Sequence, residues 1–232
     1  RDTLLEIQLL SKTYFPDRKE PLTALKNLNF SVYNGEFLSL VGPSGCGKST
    51  FIKLTCGLLA PTSGQILLNG EPITEPIKDV GIAFQAPILL EWRTVFDNVL
   101  LPIEILEGKV RQPHREHAQK LLKLVGLTGF EDAYPRELSG GMQQRVSICR
   151  ALVHNPYFLL MDEPFGALDS MTRDSMNKGL LRIWEEAKKT IIFITHNISE
   201  AIFLSDRVVV LTARPGTVRE IVKIDSPRPR DP

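Results

Sequence analysis

The chain has 232 residues, a length that suits one α/β domain carrying an insertion and falls short of two full domains. Its 28 basic and 27 acidic residues leave a net charge of +1, so no global field recruits nucleic acid or an anionic membrane, and only a local patch could do so. Cys46, Cys56 and Cys149 show neither metal-ligand spacing nor an even count, which points to free thiols in a reducing compartment.

In chain order, short apolar or alternating runs come first. "LLEIQLL", "LKNLNFSVY" and "EFLSLV" read as strands of an antiparallel lobe that feeds the glycine-rich stretch "VGPSGCGKST" at 41–50. The pattern Gly42, four residues, Gly47, Lys48, Ser49 fits a phosphate-cradling loop, whose glycines let backbone N–H groups turn toward a polyphosphate. Lys48 adds a point charge. Ser49 falls in the first turn of the helix read from "KSTFIKLTCGLL", where a hydroxyl can ligate magnesium and the helix dipole adds positive potential. A bare glycine-rich turn is the alternative, and the strand, loop, helix order argues against it.

"GQILLNGEP" and "DVGIAF" add two strands. From Ala86 to about Asn155 the pattern turns helical in "TVFDNVLLPIEIL", "HREHAQKLLKLVGL" and "SGGMQQRVSICRALVHN", with apolar spacings of three and four. Residues 86–155 are therefore expected to form a helical subdomain inserted into a core of 1–85 and 156–232, all within one domain. His114 and His117, three apart, read as a solvated helix face, with a metal pair as the alternative. "YFLLMDEP", "TIIFITH" and "DRVVVLTA" then read as strands of a parallel sheet buried on both faces. The tail at 227–232 reads as solvated. No apolar run approaches the length of a bilayer span and no signal-peptide pattern opens the chain, so the chain is expected not to cross a membrane itself. The missing initiator Met and the ending "SPRPRDP" read as trimmed ends.

Two further elements carry phosphate chemistry. The strand "YFLLMDEP" delivers Asp162 and Glu163 at its carboxyl end, where α/β sheets place ligands. Asp162 can hold a magnesium shell, commonly through water, and Glu163 can polarise an attacking water; a helix N-cap is the alternative. In "LSGGMQQR", Ser139, Gly140 and Gly141 open a helix whose donors form a second anion site.

Loop, Asp-Glu pair and "LSGGMQQR" together resemble the nucleotide-binding subunit of ATP-binding cassette (ABC) transporters, with Met142 in place of the usual Gln. The resemblance covers nearly the whole chain. It implies an α/β fold: a P-loop NTPase core with a mixed, mainly parallel sheet, an antiparallel β lobe and the inserted helical subdomain. It also implies an ATPase using ATP and Mg2+. Gly42, Pro43, Ser44, Gly45, Cys46, Gly47, Lys48, Ser49 and Thr50 would hold phosphates and metal. Gln85 matches the glutamine that contacts magnesium and water, so that Ser49, Gln85 and Asp162 form the metal set. Glu163 would be general base and His196, in "ITHN", the γ-phosphate contact, with Lys48 and Gln85 completing the catalytic set. Tyr14 matches the aromatic that stacks on adenine, with Phe15 as competitor.

The same resemblance implies a head-to-tail homodimer, in which Ser139, Gly140, Gly141 and Met142 of one chain close over the other chain's nucleotide. "ALD" at 167–169 would place Asp169 toward the partner chain. Transmembrane permease subunits, and indirectly a periplasmic or extracellular substrate-binding protein, are the implied partners. Nucleic acid is not. The implied location is peripheral, on the cytoplasmic face of the cell membrane. "FLSDRVVVLTARPGTVRE", "LLEWRTVFDNV" and the tail resemble the branch that imports nitrate, sulfonates, taurine or pyrimidine precursors.

Trp92 in that stretch reads equally as a permease contact or a core residue. Two residues depart from the family pattern: Asn197 follows the histidine where Asp is common, and Cys149 stands where Ala is frequent. Cys46 lies beside Lys48 at a helix start, a setting that lowers a thiol's pKa. A chromosome or DNA-repair clamp is excluded by the 97 residues from Gly42 to Ser139, which hold no coiled-coil heptads. A regulatory module without turnover would lack Glu163 or His196, and both are present.

Overall fold

The computed structural model describes residues 2–17, 20–166, 168–228 and 230. The chain divides into two compact units, one of residues 1–77 with 190–232 and one of 78–189. The second unit is wider than the helical segment at 86–155, because two strands and a long helix group with it.

In the first unit, β1 (Thr3–Tyr14), β2 (Leu22–Tyr33), β4 (Ser63–Leu68) and β5 (Glu71–Pro72) form an antiparallel sheet in the order β2-β1-β4-β5. "GQILLNGEP" is thus two strands, divided by a turn at Asn69 and Gly70, both with positive φ. β3 (Phe37–Val41) does not belong to this lobe. It pairs in parallel with β8 (Thr190–Thr195) and β9 (Arg207–Leu211). All five β3 residues and all six β8 residues are buried, the mark of a parallel strand covered on both faces rather than half-exposed. Rings pack across this pair, Phe37 against Phe193 at 5.9 Å between centroids. β10 (Val218–Lys223) runs antiparallel to β9. Its sequence, VREIVK, is too charged and exposed to announce itself as a strand.

The first unit also holds α1 (Lys48–Thr55) and α6 (Ile198–Leu204). Ala201 of α6 packs on Val41 and Val208. The carbonyls that end α6 lack helical partners, and two tail arginines supply them. Arg228 donates to Leu204 O and, at 2.5 Å, to Asp206, and Arg230 donates to the carbonyl oxygens of Ile202, Phe203 and Ser205. The described part of the tail is therefore pinned rather than solvated. Pro229, Asp231 and Pro232 lie outside the described residues.

In the second unit, β6 (Val80–Ala83) and β7 (Phe158–Asp162) pair in parallel. Around them stand α2 (Val95–Glu107), α3 (Gln112–Leu124), α4 (Gly140–Leu152) and α5 (Ser170–Ala187). Cys149 of α4 is fully buried, as a small apolar residue should be, and burial pushes its thiol pKa far up. No helix among the described residues is long and apolar enough to cross a membrane.

Candidate nucleotide site

The phosphate loop runs from the carboxyl end of β3 into α1. Gly47 caps that helix at φ +108°, a backbone state that side chains rarely adopt. A Cβ there would also stand 2.5 Å from Leu25 Cδ2. Lys48 is nearly buried at 7% exposure and its Nζ donates to Gly42 O at 2.9 Å and Pro43 O at 3.2 Å. The ammonium is thus held inside the curl of the loop, where a polyphosphate would meet it. Ser49 is exposed in the first turn of α1. Val41 of β3 and Thr195 of β8 are register partners, so Gly42 and His196 leave the sheet side by side. His196 is exposed.

Asn197 caps α6, its Oδ1 accepting from Glu200 N at 3.2 Å. Thr195 Oγ1 accepts from Asn197 N at 3.0 Å and donates to Glu200 Oε2 at 2.6 Å. The turn that carries His196 is therefore closed by hydrogen bonds on both sides.

Tyr14 Oη lies 3.1 Å from Thr50 Oγ1, and Lys12 Nζ stands 5.6 Å from the Tyr14 ring centroid. Phe15 is 71% exposed. The geometry gives Tyr14 a role in holding the helix after the loop and leaves Phe15 with the open aromatic face. Cys46 is fully buried, with its Sγ beneath Gly42. Its position beside Lys48 therefore does not make it reactive, since a reagent must reach the sulfur before its ionisation matters.

In the second unit, the register Ala83↔Met161 brings Gln85 and Glu163 to the same end of the strand pair. Gln85 Nε2 lies against Gly166, 3.2 Å from where a Cβ would stand, and Glu163 O accepts from Gly166 N at 3.0 Å. Glu163 itself has φ +46°. A glutamate held in the left-handed region is uncommon, and such strain concentrates at functional positions.

Ser139 is the N-cap of α4, its Oγ accepting from Met142 N at 3.3 Å. Ser139 and Gly140 are exposed, and Gly141 lies against Thr172 of α5. Asp169 caps α5 by accepting from Thr172 N at 3.0 Å, and hydrogen bonding from the Thr172 side chain, with that from its backbone, holds the carboxyl below the usual range. Ala167 of the "ALD" stretch lies outside the described residues.

The segment before α2 carries exposed apolar side chains on a fixed backbone. Trp92 is 74% exposed and Ile88 is 62% exposed, which removes the core reading of Trp92. Asn98, fully buried, donates from Nδ2 to Leu90 O, Arg93 O and Thr94 O and accepts from Leu90 N at 2.8 Å. Arg150 donates to Pro87 O and Ile88 O, both at 2.8 Å, and Arg93 pairs with Glu104 at 2.7 Å. Sequence reasoning passed over Asn98, Arg150 and Gln144, whose Nε2 donates to Phe84 O at 3.0 Å. The available signal was a polar residue on an apolar helix stripe, Asn98 between Val95 and Val99.

His114 is bound into the start of α3. Its Nδ1 accepts from Arg111 N at 3.2 Å and its Nε2 is 3.4 Å from Glu107. An acidic neighbour that spacing did not reveal thus stands beside it. Among the described residues no group of three His, Cys, Asp or Glu is arranged to hold a metal ion.

A glycine-lined phosphate loop entering a helix, a histidine beside it in register, and an Asp-Glu pair ending a parallel strand define a P-loop NTPase fold. Residues 25–166 match the ABC transporter family, and the chain belongs to it, as an ATPase of the cassette type. It is 52% identical over 227 residues to an uncharacterised ABC transporter ATP-binding protein of Methanocaldococcus jannaschii, covering 98% of this chain and 84% of that protein. It is 44% identical to the aliphatic sulfonates import ATP-binding protein SsuB of Bacillus cereus, over 94% of this chain and 85% of that one. Among solved structures it resembles the dimeric form of MJ0796, a bacterial ABC transporter cassette, with a TM-score of 0.82 and 34% identity over 96% of this chain and all of that one. A post-hydrolysis state of the same cassette bound to ADP and Pi matches with a TM-score of 0.80, at the same identity and coverage.

Proposed function

We propose that this chain is the ATP-hydrolysing subunit of a solute importer of the sulfonate, nitrate, taurine or pyrimidine-precursor type, working as a head-to-tail homodimer. The observation that carries the reading is the phosphate loop, with Lys48 Nζ inside its curl and His196 beside it in the sheet register. Gly42 to Thr50 take the phosphates of ATP. Ser49, Gln85 and Asp162 are hard oxygen donors that suit Mg2+, which when bound neutralises phosphate charge. Glu163 accepts the proton of the attacking water, His196 contacts the γ-phosphate, and Phe15 or Tyr14 takes the adenine. Ser139, Gly140, Gly141 and Met142 of the other chain complete the phosphate contacts. The 44% identity to a sulfonate importer subunit supports the import reading.

The permease partner docks on the Ile88 and Trp92 surface. An exposed tryptophan on a hydrogen-bonded loop is pre-organised to bind, because little ordering entropy remains to be lost. On this reading the subunit sits peripherally at the cytoplasmic face of the membrane, and a periplasmic or extracellular binding protein presents the solute to the permease. Trp92→Ala leaves Asn98, Arg150 and the Arg93–Glu104 pair in place. The variant is therefore expected to keep the ATPase rate of the isolated subunit within about twofold while losing most solute uptake in the assembled transporter. Uptake at the wild-type rate in vesicles would remove Trp92 from the docking surface.

A further inference from the structure

The turn between β9 and β10 is built against the phosphate loop. Thr212 and Thr217 close it: Thr212 N donates to Thr217 O at 3.0 Å, Thr217 N donates to Thr212 Oγ1 at 3.0 Å, and Thr212 Oγ1 donates to Pro215 O at 3.1 Å. Gly216 then inserts beside β2, donating to Ala24 O and accepting from Lys26 N, both at 2.9 Å. On its other side Gly216 touches the phosphate loop so closely that a Cβ would lie 2.2 Å from Cys46 O. Only glycine allows that approach. Leu211, one residue ahead of the turn, backs Gly42. At the rim, Arg214 Nε donates to Gly45 O at 3.1 Å, and its Nη2 lies 3.2 Å from where a Gly45 Cβ would stand.

These contacts fall on two successive peptide groups. In a trans peptide the carbonyl and the following N–H point in opposite directions. Gly45 O is taken by Arg214 and Cys46 O faces Gly216, so the N–H groups of Cys46 and Gly47 point the other way. That side is the inner one: Cys46 N donates to Pro43 O at 3.3 Å, and the same oxygen accepts from Lys48 Nζ.

We propose that Arg214, with the 212–217 turn, is a positioning residue of the phosphate loop. It keeps the Gly45 carbonyl turned outward, keeps the Cys46 and Gly47 N–H groups on the inner side of the loop, where Cys46 N–H closes the curl on Pro43 O and the polyphosphate would bind, and adds a positive charge at the loop's rim. This rests on the reading that the loop binds the phosphates of ATP. Arg214 acts on grip rather than on chemistry, so ATP and ADP are affected alike and the turnover step is not.

The test compares wild type, Arg214→Ala, Arg214→Lys and Lys48→Ala in Mg-ATP and Mg-ADP calorimetry, steady-state ATPase and thermal unfolding without nucleotide. Arg214→Ala is expected to raise the Kd for both nucleotides and the KM for ATP by about five- to tenfold, a size fitting the net worth of one hydrogen bond at an exposed rim. Its kcat should stay within about twofold and its melting temperature unchanged. Arg214→Lys should recover part of the loss, because it returns the charge without the Nε donor. Wild-type affinity in Arg214→Ala, alongside lost binding in Lys48→Ala, would overturn the brace and leave the phosphate-loop reading standing. Equal loss in Arg214→Lys and Arg214→Ala with a lowered melting temperature would also overturn it, by showing a structural role only. Wild-type ATP affinity in Lys48→Ala would instead remove the phosphate-loop reading and the brace with it.

Discussion

Asn197 shows how a departure from a family pattern resolves once its surroundings are known. After His196 it stands where Asp is common, yet in place it is the N-cap of α6, a task that Asn and Asp perform about equally. Asn197→Ala should therefore cost about 1 kcal/mol in urea unfolding, whereas Asn197→Asp should be neutral or slightly stabilising, because a carboxylate at a helix N-terminus also meets the dipole favourably. Equal destabilisation by both changes would show that the cap is not what this position supplies. The residues proposed to carry phosphate chemistry could be picked out in advance because their spacing is dictated by local backbone: Gly47, Lys48 and Ser49 need only a strand, a loop and a helix. Cys46 was not legible in the same way. Its reactivity depends on burial under Gly42, and no local pattern encodes that packing. Tyr14 and Phe15 differ for a similar reason, since the hydrogen bond between the Tyr14 and Thr50 hydroxyls joins residues from separate elements.

At the scale of elements, apolar periodicity located α1 to α4 and most strands, because a buried stripe must recur with the helix or strand repeat. It failed where burial is not periodic. β3 reads as a member of the antiparallel lobe that precedes it, and only its complete burial reveals the parallel sheet. β10 carries too little apolar surface to be seen. The segment from Ala86 to Thr94, expected within a helical region, is a loop whose order comes from Asn98 and Arg150 side chains.

In the same unit, α2, α3 and the residues just after α4 line an open pocket of about 290 Å3 that includes Glu107, His114, His117, His154 and Asn155. Burial lowers the pKa of His117, with Lys120, Lys189 and His114 adding to the effect and a hydrogen bond to the Leu152 backbone opposing it. Burial likewise lowers that of His154, with Lys189 adding to the effect, while a hydrogen bond to the Val80 backbone and the charge of Asp79 oppose it. A histidine whose folded pKa lies below its unfolded value of about 6.5 takes up protons on unfolding, so stability is full above that pH and declines as pH falls through the window below it. The urea midpoint should thus drop between pH 7.5 and 5.5, and the drop should shrink in a His117→Gln, His154→Gln double variant. An unchanged drop in the double variant would assign the acid sensitivity to other groups.

For the molecule as a whole, motif order along the chain carried the functional class further than any single element did. Glycine loop, glutamine, "LSGGM", Asp-Glu pair and histidine occur in an order that few folds share, and the match of residues 25–166 to the ABC transporter family agrees with it. What sequence order cannot supply is the second chain, because a composite site is a property of a pair. The central claim is that Glu163 is the general base of a nucleotide site closed by Ser139 and Gly141 of the partner chain. Glu163→Gln keeps the side-chain shape and removes the base, so hydrolysis should fall by about 10²- to 10⁴-fold while Mg-ATP still binds. Light scattering after size exclusion tests this most directly. With Mg-ATP the Glu163→Gln protein should run at twice the 26.0 kDa of one chain, without nucleotide at that of a single chain. Adding Ser139→Arg should return it to a single chain, with circular dichroism showing α4 intact. A Glu163→Gln protein that binds ATP yet stays at the single-chain mass at every concentration would contradict the account.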